Sequence, residues 1–119
     1  MDWNVEYTDE FGSWWDTIAE PHQNRVIATV ELLAAYGPEL PFPHSSGISG
    51  SRHPHMRELR VSSLGRPIRI LYAFDPRRAA ILLIGGDKTG DKNFYKTLIP
   101  IADDLYDTHL NELRLERLI

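Results

Sequence analysis

The amino-acid sequence predicts an α+β fold: a small antiparallel-dominated sheet with two helices before it and one after it, in the order β-α-α-β-β-β-α. Three observations predict it. Apolar residues recur at helical spacing between Phe11 and Leu33 and again beyond Phe94. Between them, residues 56–85 fall into strand-length pieces separated by turn residues. No repeat, low-complexity tract or compositional break divides the chain, so residues 1–119 read as a single domain.

The first strand is read at residues 3–7, where Trp3, Val5 and Tyr7 alternate with Asn4 and Glu6. Thr8 is placed to cap a helix, with Asp9 and Glu10 in its first turn where they complement the helix dipole. Phe11, Trp14, Trp15 and Ile18 form its apolar face, a packing role that accounts for the early tryptophans. Pro21 opens a second helix with Val26, Ile27, Val30, Leu32 and Leu33 as its stripe, and Gly37-Pro38 ends it. Two helices so closely spaced form an antiparallel pair. Residues 37–54, rich in Pro, Gly, Ser and His, read as a long exposed loop.

Strands follow at 56–61, 67–75 and 79–85, joined by Ser62-Ser63-Leu64-Gly65-Arg66 and by Pro76-Arg77-Arg78 as an antiparallel meander. A polar loop over residues 85–93 leads to a last helix over 94–119, with Leu98, Ile101, Ala102, Leu105, Leu110 and Leu113 inward. Pro100 has no amide hydrogen, so it must start, kink or restart that helix. The helices are expected on one face of the sheet, leaving the other face open.

Composition narrows the functional classes. The 119 residues include 42% hydrophobic side chains and twelve aromatics, enough to offset the entropy of ordering. No apolar run reaches membrane-span length, so no membrane association is expected. The start, Met1-Asp2-Trp3-Asn4, lacks the features of a secretory signal. With no cysteine, disulfides, thiolate zinc sites and cysteine nucleophiles drop out, and a cytoplasmic location is expected.

The net charge is −4, yet it is segregated along the chain. Residues 1–51 carry eight acids and only Arg25 as a base, a balance of −7; residues 52–96 carry ten bases and four acids, +6; residues 97–119 sum to −3. A basic middle between acidic ends either presents a positive face to a polyanion or is neutralised when the ends fold back.

Strand alternation sorts the arginines. With Leu59, Val61, Ile68, Ile70, Tyr72 and Phe74 facing the helices, Glu58, Arg60, Arg69, Leu71 and Ala73 share the other face. Arg60 and Arg69 then make either a clamp for a phosphodiester or, with Glu58 pairing Arg69, a solvated ion-paired surface. The loop Gly85-Gly86-Asp87-Lys88-Thr89-Gly90-Asp91-Lys92-Asn93 offers backbone donors and two lysines to an anion, or is a plain polar turn. It lacks the Walker pattern. Of Phe94 and Tyr95, Tyr95 is the better functional candidate, since a phenol can stack, hydrogen-bond and transfer a proton.

Among the five histidines, His53-Pro54-His55 is the one close pair and has no carboxylate at metal spacing, so neither metal nor cofactor is expected. His55, just before the first meander strand, is a candidate general acid or base. No Gly-x-Ser-x-Gly motif occurs. Asp103, Asp104, Asp107 and Glu112 read as a solvated helix face.

Across residues 56–110 the sequence resembles the RelE/ParE superfamily of bacterial toxins, in its HigB-like, phage Gp49-like branch. The resemblance is carried by Met56-Arg57-Glu58-Leu59-Arg60, Arg69-Ile70-Leu71-Tyr72-Ala73-Phe74 and Ile81-Leu82-Leu83-Ile84-Gly85-Gly86-Asp87-Lys88-Thr89. Asn93-Phe94-Tyr95, Ile99-Pro100 and Ala102-Asp103-Asp104-Leu105-Tyr106 continue it in order. No single motif is diagnostic; the ordered set is.

The resemblance implies a toxin of a type II toxin-antitoxin system: a ribosome-dependent mRNA endonuclease that cuts without metal, by attack of the ribose 2′-hydroxyl on the neighbouring phosphate. Its implied partners are the ribosome, mRNA and a cognate helix-turn-helix antitoxin of the HigA type. Arg60, Arg69, Lys88 and Tyr95 would be its catalytic residues, with Arg57, Arg66, Lys92 and His55 contacting RNA. A ParE-like gyrase inhibitor and a non-catalytic binding module are the alternatives of the same fold. The sequence departs from the family where Gly86-Asp87-Lys88 replaces the usual aromatic before a Lys-Lys pair, and its pI near 5.7 is low for a ribosome-entering protein.

Overall fold

In a computed structural model that describes residues 2–119, strands β1 (Val5–Tyr7), β2 (Ser45–Gly47), β3 (Arg57–Ser63), β4 (Arg66–Phe74) and β5 (Ala80–Asp87) form one sheet. The helices are α1 (Asp9–Trp15), α2 (Glu20–Tyr36) and α3 (Phe94–Leu115). The strand order is β1-β5-β4-β3-β2, with β1 parallel to β5 and every other pair antiparallel. The fold class and the element order follow the sequence expectation; β2 and a single 3-10 turn (Gly37–Glu39) are added within the long 37–54 segment.

Local chemistry explains the element ends. Thr8 Oγ1 accepts a hydrogen bond from the Phe11 amide at 3.0 Å and donates to the Leu83 carbonyl at 2.7 Å, so the cap of α1 is also its tether to β5. The β3–β4 hairpin turns on Leu64 and Gly65, both at positive φ (50° and 79°), as a two-residue hairpin turn requires. Pro100 lies inside a continuous α3, and the helix ends at Leu115, before the expected 119.

The helices cover both faces of the sheet, which corrects the one-face expectation. On one face, α1 and α2 bring Phe11, Val26 and Leu33 against Leu59, Val61, Ile68, Ile70, Tyr72 and Leu82. On the other, α3 brings Ile99, Ala102 and Tyr106 against Leu71, Ala73, Ile81 and Leu83. An unbroken apolar run such as Ile81-Leu82-Leu83 is what a strand buried on both sides needs. The inward face of α3 is also rotated from the expected one: Ile101 is largely exposed, while Asp103 is buried. Asp103 can be buried because Ser51 Oγ (2.5 Å) and the Arg52 amide (2.9 Å) donate to its two oxygens.

Those bonds, with His53 Nε2 at 2.7 Å from Asp107, strap the 37–54 segment to α3. At its other end Ser45 is buried with its hydroxyl 2.6 Å from Tyr72 Oη. The segment is therefore pinned at several points and is not a free loop.

Gly85 and Gly86, expected in a phosphate-facing loop, belong to β5. A Cβ at Gly85 would lie 2.5 Å from the Trp14 ring, and one at Gly86 would lie 2.8 Å from Phe94. Their bare backbone gives space to one aromatic from α1 and one from α3, which leaves only residues 88–93 as the loop.

Candidate functional site

Arg60 and Arg69 are register partners across β3 and β4. Two guanidiniums directly opposite repel, and the pairing is tolerated because Glu58 stands between them. Glu58 is 4% exposed. Its Oε1 lies 3.6 Å from Arg69 Nε, and its Oε2 lies 3.6 Å from Arg60 Nη1. Ser46 of β2 donates to Oε2 at 2.7 Å, and Tyr95 donates to Oε1 at 2.6 Å. The carboxylate thus organises β2, β3, β4 and the start of α3 around one charge.

The two arginines are not equivalent. Arg69 is only 7% exposed; its guanidinium donates to the Ile68 carbonyl at 3.0 Å, and its buried Nε has no hydrogen-bond partner. The Arg60 side chain is 29% exposed, with its guanidinium 5.1 Å from the centre of the Phe42 ring. The paired arginines and a Glu58–Arg69 ion pair therefore share one cluster, and the pair is buried where the ion-paired alternative had it solvated.

Phe94 packing on Gly86 aims Tyr95 at Glu58. Burial, and then the neighbouring Glu58 charge with its hydrogen bond, push the Tyr95 phenol above its ordinary value. Tyr95 therefore stays protonated near neutral pH, with its hydroxyl hydrogen donated to Glu58. Lys88 Nζ sits 3.5 Å from Tyr95 Oη and 5.3 Å from the ring centre, adding a cation at the same edge.

Arg60, Arg69, Lys88 and Tyr95 are thus brought together, whereas the four expected RNA contacts are dispersed. Arg57 points to the opposite face, where its Nε donates to Ser45 Oγ at 3.0 Å. His55 is exposed and shares a different cleft with Arg57, Pro38 and Phe74. Arg66 pairs with Asp87 at 3.0 Å. Burial raises the Asp87 carboxyl, but hydrogen bonds from Thr89 and Arg66 outweigh that and hold it below its ordinary value. Lys92 is exposed in the 88–93 loop and, among the described residues, makes no hydrogen bond or ion pair with the cluster.

Sequence reasoning missed the central role of Glu58, the contribution of Ser46 and the aromatic at Phe42. The Glu58-x-Arg60 spacing opposite Arg69 was a signal for the first; nothing local pointed to the other two. Among the described residues, no group of three or more His, Cys, Asp and Glu is arranged to hold a metal ion. Among the described residues, no helix is long and apolar enough to cross a membrane.

Comparison with known proteins adds relatives. The family model for phage derived Gp49-like proteins matches residues 13–107. Two Mycobacterium tuberculosis proteins that carry the toxin names HigB2 and HigB3 are similar. HigB2 is 37% identical over 110 residues, spanning 91% of this chain and 54% of that protein. HigB3 is 43% identical over 91 residues, spanning 76% of this chain and 78% of that protein. The chain therefore spans about half the length of HigB2 and most of HigB3. Among solved structures, a chain of the archaeal RelE–RelB complex from Pyrococcus horikoshii OT3 superposes with a TM-score of 0.55. The match covers 76% of this chain and 99% of that one at 16% identity, a likeness of fold alone.

Proposed function

The chain belongs to the phage-derived Gp49-like family, and from that premise we propose that it is the toxin of a toxin-antitoxin pair, acting as a ribosome-dependent mRNA endonuclease. The toxin names of its relatives and its RelE-type fold support the first part. One observation carries the second: Arg60 and Arg69 are cross-strand partners held with Tyr95 and Lys88 around a single buried carboxylate. Cleavage by the 2′-hydroxyl needs a proton acceptor for that hydroxyl, cations for the charge that builds on phosphorus, and a proton for the departing 5′-oxygen.

In this reading Arg60, the more exposed arginine, receives the scissile phosphate. Arg69 lies beneath it as a fixed positive charge. The 2′-hydroxyl proton moves to Tyr95 Oη as the phenol proton moves to Glu58, along the 2.6 Å hydrogen bond already formed. Lys88 supplies the proton to the 5′-oxygen as the P–O5′ bond breaks and the cyclic phosphate forms. A helix-turn-helix antitoxin of the HigA type is the proposed neutralising partner.

The test is a reconstituted translation reaction with mRNA ends mapped by primer extension, with and without ribosomes. Cuts that require ribosomes and fall at least a hundredfold with Arg60→Ala are expected, given that one charge-stabilising donor is worth about 10²–10³ in rate. The burial of Arg69 against Glu58 favours a second reading, a non-catalytic member that inhibits gyrase or docks a partner. Intact mRNA with inhibited supercoiling would establish that reading instead.

A further inference from the structure

Phe42 stands beside the arginine cluster without a structural reason to be there. Its side chain belongs to the few large apolar groups left in water, with 68% exposure. Its backbone is nonetheless fixed: Pro41 and Pro43 flank it, and the His44 and Ser45 amides both donate to the Pro41 carbonyl, at 3.0 and 3.1 Å. The Arg60 guanidinium lies over its ring. Pro43 and His44, the next two residues, line a groove of about 610 Å³ with Arg60, Arg69 and Gly65, in the size range of a small-molecule site.

An exposed, preorganised ring whose neighbour is a guanidinium is the pairing by which proteins hold single-stranded RNA. The ring takes the base, every base having a π-face to offer, and the cation takes the phosphate. We propose that Phe42 is a nucleobase-stacking residue, with an unpaired RNA base lying on its ring while the adjacent phosphodiester is held by Arg60. The proposal rests on the RNA-cleaving reading and names the group that would orient the nucleotide at that site. Since stacking strength grows with ring size and carries no hydrogen-bond code, it favours a purine without demanding one base.

The test uses programmed ribosomes whose mRNA carries 2-aminopurine at successive positions of the decoded codon, with 2′-O-methyl groups to block cleavage. Cleavage of unmodified mRNA is measured in parallel. Wild-type protein should quench 2-aminopurine at one position. Phe42→Leu keeps an apolar cover for Arg60 but cannot stack, so it should abolish that quenching and slow cleavage at least tenfold, chiefly through KM. Phe42→Trp should preserve both, and all three proteins should melt alike. Normal cleavage by Phe42→Leu would overturn the proposal while leaving the nuclease reading intact, and is what a protein-docking role for Phe42 would give. Wild-type protein that neither quenches nor cleaves would overturn both.

Discussion

Glu58 is held by two hydroxyl donors and two guanidiniums in a nearly water-free position, so its burial is compensated by several groups at once. That changes what an arginine substitution means here. From strand alternation, Arg60 and Arg69 both stand on an open face, and either could be removed without thermal cost. With Arg69 buried, Arg69→Ala leaves a cavity and removes one of the two guanidiniums that compensate Glu58, and loss of one member of a buried pair costs about 3–5 kcal/mol. Arg60→Ala leaves a partly exposed site that water can fill. Thermal denaturation should therefore separate them: a large drop in Tm for Arg69→Ala and a small one for Arg60→Ala. Equal, small shifts for both would show that Glu58 does not depend on Arg69 for compensation.

At the scale of elements, the turn between β4 and β5 is fastened by Asp75, whose side chain is fully buried. Its carboxylate accepts from Arg77, from the Ala79 amide and from His109 of α3 at 2.9 Å, and Arg77 reaches on to Glu6 of β1 at 2.9 Å. One carboxylate thus ties turn, helix and edge strand. Burial pushes the Asp75 carboxyl up, but the hydrogen bonds from His109, Arg77 and Ala79 outweigh it and set it below its ordinary value. A depressed carboxyl binds its proton more weakly folded than unfolded. Its stabilisation is therefore complete above the unfolded value, about 3.9, and is lost as pH falls through the folded one. The melting temperature of the wild type should fall steeply below about pH 4, and Asp75→Asn should be less stable at neutral pH with a flatter acid limb. Parallel acid limbs would remove Asp75 from this role.

Over the whole molecule, folding neutralises much of the basic middle. Arg52 is held by Asp103, Asp104 and Asp107, Arg77 by Asp75 and Glu6, and Arg66 by Asp87. Among the described residues Lys88, Lys92 and Lys96 make no ion pair; Lys88 stands over the Tyr95 ring, Lys92 precedes α3 and Lys96 lies in its first turn. Together with Arg60 they are the four cations that the proposed RNA ligand would meet on a protein whose net charge is −4. Few phosphates can then be neutralised. Affinity for a single-stranded RNA oligonucleotide, followed by anisotropy across salt, should give a log–log slope of about −3, from four cations at about −0.7 each. A slope twice as steep would mean that paired arginines are released to RNA.

The sequence by itself determined the elements, their order and the residue types of the site. Helical and strand periodicities, the Thr8 cap, the Gly37-Pro38 stop and the two meander turns are written in local spacing. Strand alternation likewise put Glu58, Arg60 and Arg69 on one side of the sheet. Only the tertiary structure decided what covers that side, because α3 lies far along the chain and its rotation is set by Phe94 on Gly86 and by Asp103 under Ser51. Burial of Arg69 and the pinning of the 37–54 segment follow from that docking. The environment of a charge depends on neighbours distant in sequence; spacing alone says which side it takes, not whether water reaches it.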